Sequence, residues 1–143
     1  MRETFELFKE ITIISQLASA EFDKVLPDGL HPSHFALINH LATTGDGKTP
    51  MELARAFQIS KQNMTNSVMR LGERGLIAIE DHPTDGRSKI VRLTPHGRDF
   101  QVKAVKALDP VLRDVESHAN FEAFHTMLPA LKQLRAFLDA RRS

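Results

Sequence analysis

Gln62, Asn63, Asn66 and Arg70 stand close together in the chain, and their chemistry is that of edge recognition. An amide presents a donor beside an acceptor, so Gln or Asn can pair two-pronged with adenine, as a guanidinium can with guanine. Arg70 either reads a base or holds a phosphate. Further on, Arg87 follows Asp85-Gly86 in a polar turn. A guanidinium is long, always charged and weakly hydrated, which suits a narrow electronegative groove. Asp85 gains nothing from a phosphate, so it either orients an arginine or caps the turn. Lys89 and Arg92 can each neutralise a phosphate. Ser60 and Lys61 can do so where backbone N–H groups at a helix start are free.

These side chains work together only if a helix and a hairpin position them. Ser60 is a good N-cap for a helix over residues 61–74, and Gly75 closes it where a left-handed residue is usual. With Met64 at the centre of the buried face and 100° per residue, Ser67, Val68 and Leu71 also point inward. Gln62, Asn66, Met69 and Glu73 then fall on the opposite side, with Asn63 and Arg70 on one flank. A short helix precedes it, announced by Thr49-Pro50-Met51-Glu52. The Thr49 hydroxyl can accept from the N–H of Glu52 while Glu52 reaches back to the N–H of Thr49. Leu53, Ala54 and Phe57 face inward, and Gln58-Ile59 makes the turn. Two short helices joined so tightly are a helix-turn-helix pattern. Residues 76–80 and 88–93 read as strands rich in β-branched side chains, separated by the polar turn 81–87. A hairpin directly after a helix-turn-helix is a wing.

The outer segments are helical. Residues 3–26 place Leu7, Ile11, Ile14, Ala18, Phe22 and Val25 three or four apart, and Phe5, Phe8 and Leu17 widen that apolar face. Pro27-Asp28-Gly29 stops this helix, and Pro32 opens a second. Thr94-Pro95 starts a fifth helix by the logic of Thr49-Pro50. Pro110 within it predicts a kink or a restart capped by Asp109. Asn120 caps a last helix carrying Phe121, Phe124, Leu128, Leu131, Leu134 and Leu138, with a kink expected at Pro129.

Composition narrows the partners. The 143 residues fit one domain, and 41% apolar content is enough for a core. No apolar run is long enough to span a membrane. Zero cysteines exclude thiol redox sensing and thiolate metal sites, and fit a cytoplasmic protein. The net charge of +1 is unevenly spread: residues 48–106 hold eleven Lys or Arg against six Asp or Glu, a balance of +5, and the remainder carries −4. A basic middle between acidic ends suits a polyanion.

The stretch from Asp85-Gly86-Arg87 through Leu93-Thr94 resembles the wing pattern of the MarR family, D-x-R followed by five residues and L-T. Leu53-Ala54, Ser60, Leu71 and Arg74-Gly75-Leu76 fall where that family has its matching features. The resemblance implies a mainly α fold with a small β-hairpin wing, in a single MarR-like domain over residues 1–143. Residues 32–94 would form the winged helix that binds DNA, and 1–26 and 95–143 the dimerisation helices. It implies a homodimeric regulator, not an enzyme, that binds a pseudo-palindromic operator in double-stranded DNA. It further implies a repressor relieved by a small aromatic or anionic effector, with no resident cofactor. Phe8, Ile11, His34, Ile38 and Phe100 are possible walls of an effector pocket, though core packing explains each better. Relatives often carry more arginine on the recognition helix, whereas here Asn66 and Met69 occupy exposed positions, and Gly72 weakens that helix by about 1 kcal/mol against alanine.

Three other readings compete. A winged helix can serve protein contact alone, but such a wing needs no arginine at its tip. An enzyme would show a nucleophile elbow, a phosphate-binding glycine loop or an acid–base cluster, and none is legible. His31 and His34 have usable i, i+3 spacing for a metal, but no H-E-x-x-H motif accompanies them. Capping or solvated histidines account for them better.

Overall fold

A computed structural model describes residues 2–142. Among them are six α-helices, a 3-10 turn and one antiparallel hairpin, in the order α1 (Arg2–Val25), the turn Pro27–Gly29, α2 (Pro32–Thr44), α3 (Pro50–Phe57), α4 (Lys61–Glu73), β1 (Ile77–Asp81), β2 (Lys89–Leu93), α5 (Pro95–His118) and α6 (Phe121–Ala140). The chain forms two compact units, Met1–Leu108 and Asp109–Ser143.

In the first unit the caps explain where α2, α3, α4 and α5 start. Thr49 and Ser60 accept from the N–H groups of Glu52 and Asn63, at 3.2 and 3.1 Å. The return contact of Glu52 differs from expectation, because its carboxylate meets the Thr49 hydroxyl at 3.2 Å instead of the backbone N–H. His31 caps α2, its Nδ1 accepting from the N–H of Ser33 at 3.1 Å. Gly75 ends α4 with φ +73, a conformation that costs a residue with a Cβ. Thr94 joins two elements: its hydroxyl donates to the Gly75 carbonyl at 2.6 Å and accepts from the N–H of Gly97 at 2.9 Å. Gly97 is required for a different reason, since a Cβ there would lie 2.0 Å from the Leu76 carbonyl oxygen.

The core gathers Leu30, Leu37, Ile38 and Leu41 with Leu53, Met64, Val68, Leu71, Leu76, Val91 and Phe100. Phe22, Val25 and Phe57 pack on its margin. These contacts lock α4 in rotation: Met64, Val68 and Leu71 are buried, as the 100° stepping predicts. The hairpin pairs Ile77 with Leu93 and Asp81 with Lys89. A short third edge was not legible in the sequence. Lys48 bridges Val91: its carbonyl accepts from the Val91 N–H at 2.8 Å, and the Val91 carbonyl accepts from the Gly47 N–H at 3.1 Å. Asp46 secures it, one carboxylate oxygen accepting from the N–H groups of Gly47 and Leu93 and the other from Arg98 at 3.0 Å.

The first part of α1 stands apart from this core. Phe5, Ile14 and Leu17 are exposed, and α1 buries no residue fully. The second unit holds the end of α5 and all of α6, where Phe121, Phe124, Leu128 and Phe137 are exposed. Neither proline breaks its helix. α5 continues through Pro110 and α6 through Pro129. The restart capped by Asp109 is therefore overturned: its carboxylate accepts from Arg113 at 2.6 Å, one turn on in the same helix. Both prolines are exposed, so water can satisfy the carbonyls they leave unpaired.

Candidate nucleic-acid interface

Once its apolar stripe is buried, α4 must turn its other side outward. Gln62, Asn63, Asn66, Met69 and Arg70 are all exposed. Gln62 donates from Nε2 to Oδ1 of Asn66 at 3.4 Å, linking the two amides one turn apart. At the N-terminus Ser60 is exposed, and its oxygen is occupied by the Asn63 N–H, so the hydroxyl proton remains free to donate outward. Lys61 beside it is exposed, with no ion pair among the described residues.

Arg70 lies on the flank and approaches α2. Burial lowers the pKa of His34 below 6.5, and electrostatic interaction with His31, Arg70 and Arg74 lowers it further. The rings of His31 and His34 meet edge to face, 6.2 Å between centroids. Arg74 donates to the Asp28 carbonyl at 2.8 Å, tying the end of α4 to the 3-10 turn.

The wing turn is organised by two side chains. Asp85 accepts from the N–H of Arg87 at 3.0 Å, which decides between its two candidate roles in favour of turn capping. His82 is the residue that sequence reasoning missed. Its Nδ1 accepts from the N–H groups of Thr84 and Asp85, at 3.2 and 3.0 Å, and the Ser88 N–H closes the turn onto the Asp85 carbonyl at 3.1 Å. The signal was present in His82-Pro83-Thr84-Asp85, where an acceptor side chain opens a turn, but histidine is a less familiar turn acceptor than Asp or Asn. Arg87 emerges from this turn exposed, with no ion pair among the described residues.

Lys89 and Arg92 are placed differently from Arg87. Lys89 pairs with Asp81, directly opposite it across the hairpin, and Arg92 pairs with Glu80 at 2.9 Å. The Lys89 ammonium, by hydrogen bond and by charge, holds the Asp81 carboxyl below its usual range. Sequence reading brought both cations to the wing without these partners, because cross-strand register is not written in local spacing.

The expected effector walls divide. Ile38 and Phe100 are core residues, while Phe8 and Ile11 lie on the open face of α1. An open cleft of about 210 Å³ in the first unit includes one of these walls, Phe100, and is otherwise lined by Asp28, His96, Asp99, Val102, Lys103 and Lys106. No helix among the described residues is long and apolar enough to cross a membrane.

Comparison with known proteins bears on this geometry. The model of the MarR family matches residues 28–88, which hold α2, α3, α4, β1 and the wing turn. The transcriptional activatory protein BadR of Rhodopseudomonas palustris is 27% identical over 119 residues, covering 78% of this chain and 68% of BadR. A mutant MarR from E. coli complexed with operator DNA shares the fold at TM-score 0.82 and 19% identity, over 92% of this chain and 95% of that one. BpsR of Bordetella bronchiseptica, whose DNA binding is regulated by 6-hydroxynicotinic acid, shares it at TM-score 0.79 and 21% identity, over 91% and 98%.

Proposed function

We propose that the chain is a member of the MarR family of winged helix-turn-helix transcriptional regulators, a reading supported by the family match over residues 28–88 and by the similarity to BadR, and that it is a homodimeric repressor reading a pseudo-palindromic operator. Within one MarR-like domain over residues 1–143, residues 32–94 engage DNA and residues 1–26 and 95–143 join two copies. The observation that carries the reading is the outward side of α4 together with the wing. Gln62, Asn63 and Asn66 face solvent from a helix rotationally locked by Met64, Val68 and Leu71. Arg87 leaves a pinned turn with its guanidinium uncommitted.

Each element has one physical task. The N-terminal residues of α4 enter a major groove, where Gln62, Asn63 and Asn66 meet base edges. Ser60 and Lys61 hold phosphate beside them, and Arg70 holds phosphate from the flank. Arg87 enters the adjoining minor groove, whose narrowness concentrates negative potential. Asp85 keeps the turn in shape and touches no phosphate. Lys89 and Arg92 add charge along the wing, shared with Asp81 and Glu80.

Two copies suit this task. A single small module makes few contacts, and half-sites one helical turn apart multiply them. The exposed apolar side chains of α1, such as Phe5, Ile14 and Leu17, and of α6, such as Phe121, Phe124 and Phe137, support a surface that a second copy covers. Repression needs only that the bound dimer occupy a promoter. A small aromatic or anionic effector, as the regulation of BpsR suggests, would release it. Activation is the second reading, favoured by the similarity to BadR.

Selection of bound sequences from a random duplex library tests the proposal. It should return an inverted repeat with half-sites about 10 base pairs apart. A promoter fusion carrying that repeat then decides the sign: lower output in the presence of the protein supports repression, and higher output supports activation. Failure to enrich any duplex would sink the DNA-binding reading.

A further inference from the structure

The outward ridge of α4 carries an unusual set of side chains for a reader of mixed sequence. At 100° per residue, Gln62, Asn66 and Met69 lie within about 40° of the direction opposite Met64. Met69 is 53% exposed, a large apolar side chain on the polar side of a helix whose core stripe is already complete. No guanidinium shares that ridge. Arg70 stands on the flank near His34, and Arg74 is committed to the Asp28 carbonyl. Lys61 lies on the other flank, at the first turn. Guanine is most often read by a two-pronged arginine or lysine, and this ridge has none to offer.

We infer that α4 reads A·T pairs: Gln62, braced by Asn66, recognises an adenine, and Met69 packs on the methyl group of a thymine. The inference rests on the DNA-binding reading above and deepens it. The brace is the hydrogen bond from Gln62 Nε2 to Asn66 Oδ1. It uses one amide proton of Gln62 and leaves the second proton and the carbonyl oxygen side by side, the pair that adenine N7 and N6 require. A thioether cannot serve any of the strong donors and acceptors in the groove. It can bury a thymine methyl, the one apolar group exposed there. Gln62 and Met69 are seven residues apart, roughly 10 Å along the axis at 1.5 Å per residue, or about three base-pair steps at 3.4 Å. The two A·T pairs should therefore be separated by about that spacing within each half-site. Glu73, also outward, sits at the far end of α4, beyond the N-terminal residues that usually reach bases.

The test uses the full chain and the duplex recovered from the random library. Each thymine of a half-site is replaced in turn by uracil, which removes only the methyl group. At one position wild-type affinity should fall about four-fold, the expectation for one buried methyl. Met69→Ala should bind thymine and uracil duplexes equally at that position, and Met69→Leu should restore the discrimination. Gln62→Ala should flatten the preference at an adenine about three steps away, by roughly ten-fold. Circular dichroism of each variant confirms folding, expected because both positions are exposed. Guanine at the centre of the selected half-site, or equal binding of every uracil duplex by the wild type, overturns the inference and leaves DNA binding intact. Absence of binding to any duplex overturns both.

Discussion

The outward side of α4 and the wing present similar polar chemistry but hold it in different ways. On α4 the reading side chains touch little besides each other, through the single Gln62–Asn66 hydrogen bond. On the wing two of the three cations already lean on acids, Lys89 on Asp81 and Arg92 on Glu80. Only Arg87 stands clear. Exposed pairs of this kind are weak in water, so a phosphate can compete for them, but each then contributes less than a free cation would. On the proposed reading the difference separates two tasks: the amides of α4 supply selectivity, and the uncommitted charge of Arg87 adds affinity to the phosphate contacts of Lys61 and Arg70.

Removing that charge should produce the largest change. Arg87→Ala is expected to weaken binding about thirty-fold on selected and scrambled duplexes alike, measured by fluorescence anisotropy. Equal loss from Lys89→Ala would show that the ion pairs do not discriminate among wing cations. Asn66→Ala should cost about ten-fold on the selected duplex and little on scrambled DNA, because it removes one base contact and the brace on Gln62. Uniform weakening across sequences would break the division of tasks. Asp81→Asn releases Lys89 and should strengthen binding about two-fold, within the small value of a surface pair. Weaker binding would mean that Asp81 serves the wing's shape and not merely its charge balance.

The smallest expected effect concerns His34, behind α4. Its pKa is depressed by burial and by electrostatic interaction with His31, Arg70 and Arg74. The folded chain thus favours the neutral ring. The stability this contributes is fully present above the ordinary value of 6.5 and is lost as pH falls through the lower folded value. The thermal midpoint should decline as pH is lowered from 7.5 to below 6, and His34→Asn should reduce that decline. An unchanged pH profile in the variant would exclude His34 as its source.

What could be read in the sequence was whatever depends on near neighbours. Thr49, Ser60 and Asn120 cap their helices as their spacing indicates. Gly75 takes the left-handed conformation expected of it, and the buried stripe of α4 follows from a single period. What could not be read depends on register between distant segments. The Lys48–Val91 bridge, the carboxylate of Asp46 serving three donors, and the acids beside Lys89 and Arg92 each join residues that local pattern leaves unrelated. His82 and Pro110 failed differently. A histidine took a role usually given to Asp or Asn, and the restart offered at Pro110 does not occur, at an exposed position where water can take the orphaned carbonyl.

The central claim is that an α4 face and a wing tip, doubled in a dimer, hold a charged duplex. Its most direct test is the salt dependence of binding by the wild-type chain to the selected duplex. Four phosphate-directed cations on each of two copies predict a logarithmic slope of roughly −4 to −7, depending on how far Lys89 and Arg92 leave their acids. A slope near zero, with affinity unchanged between low and physiological salt, would contradict it.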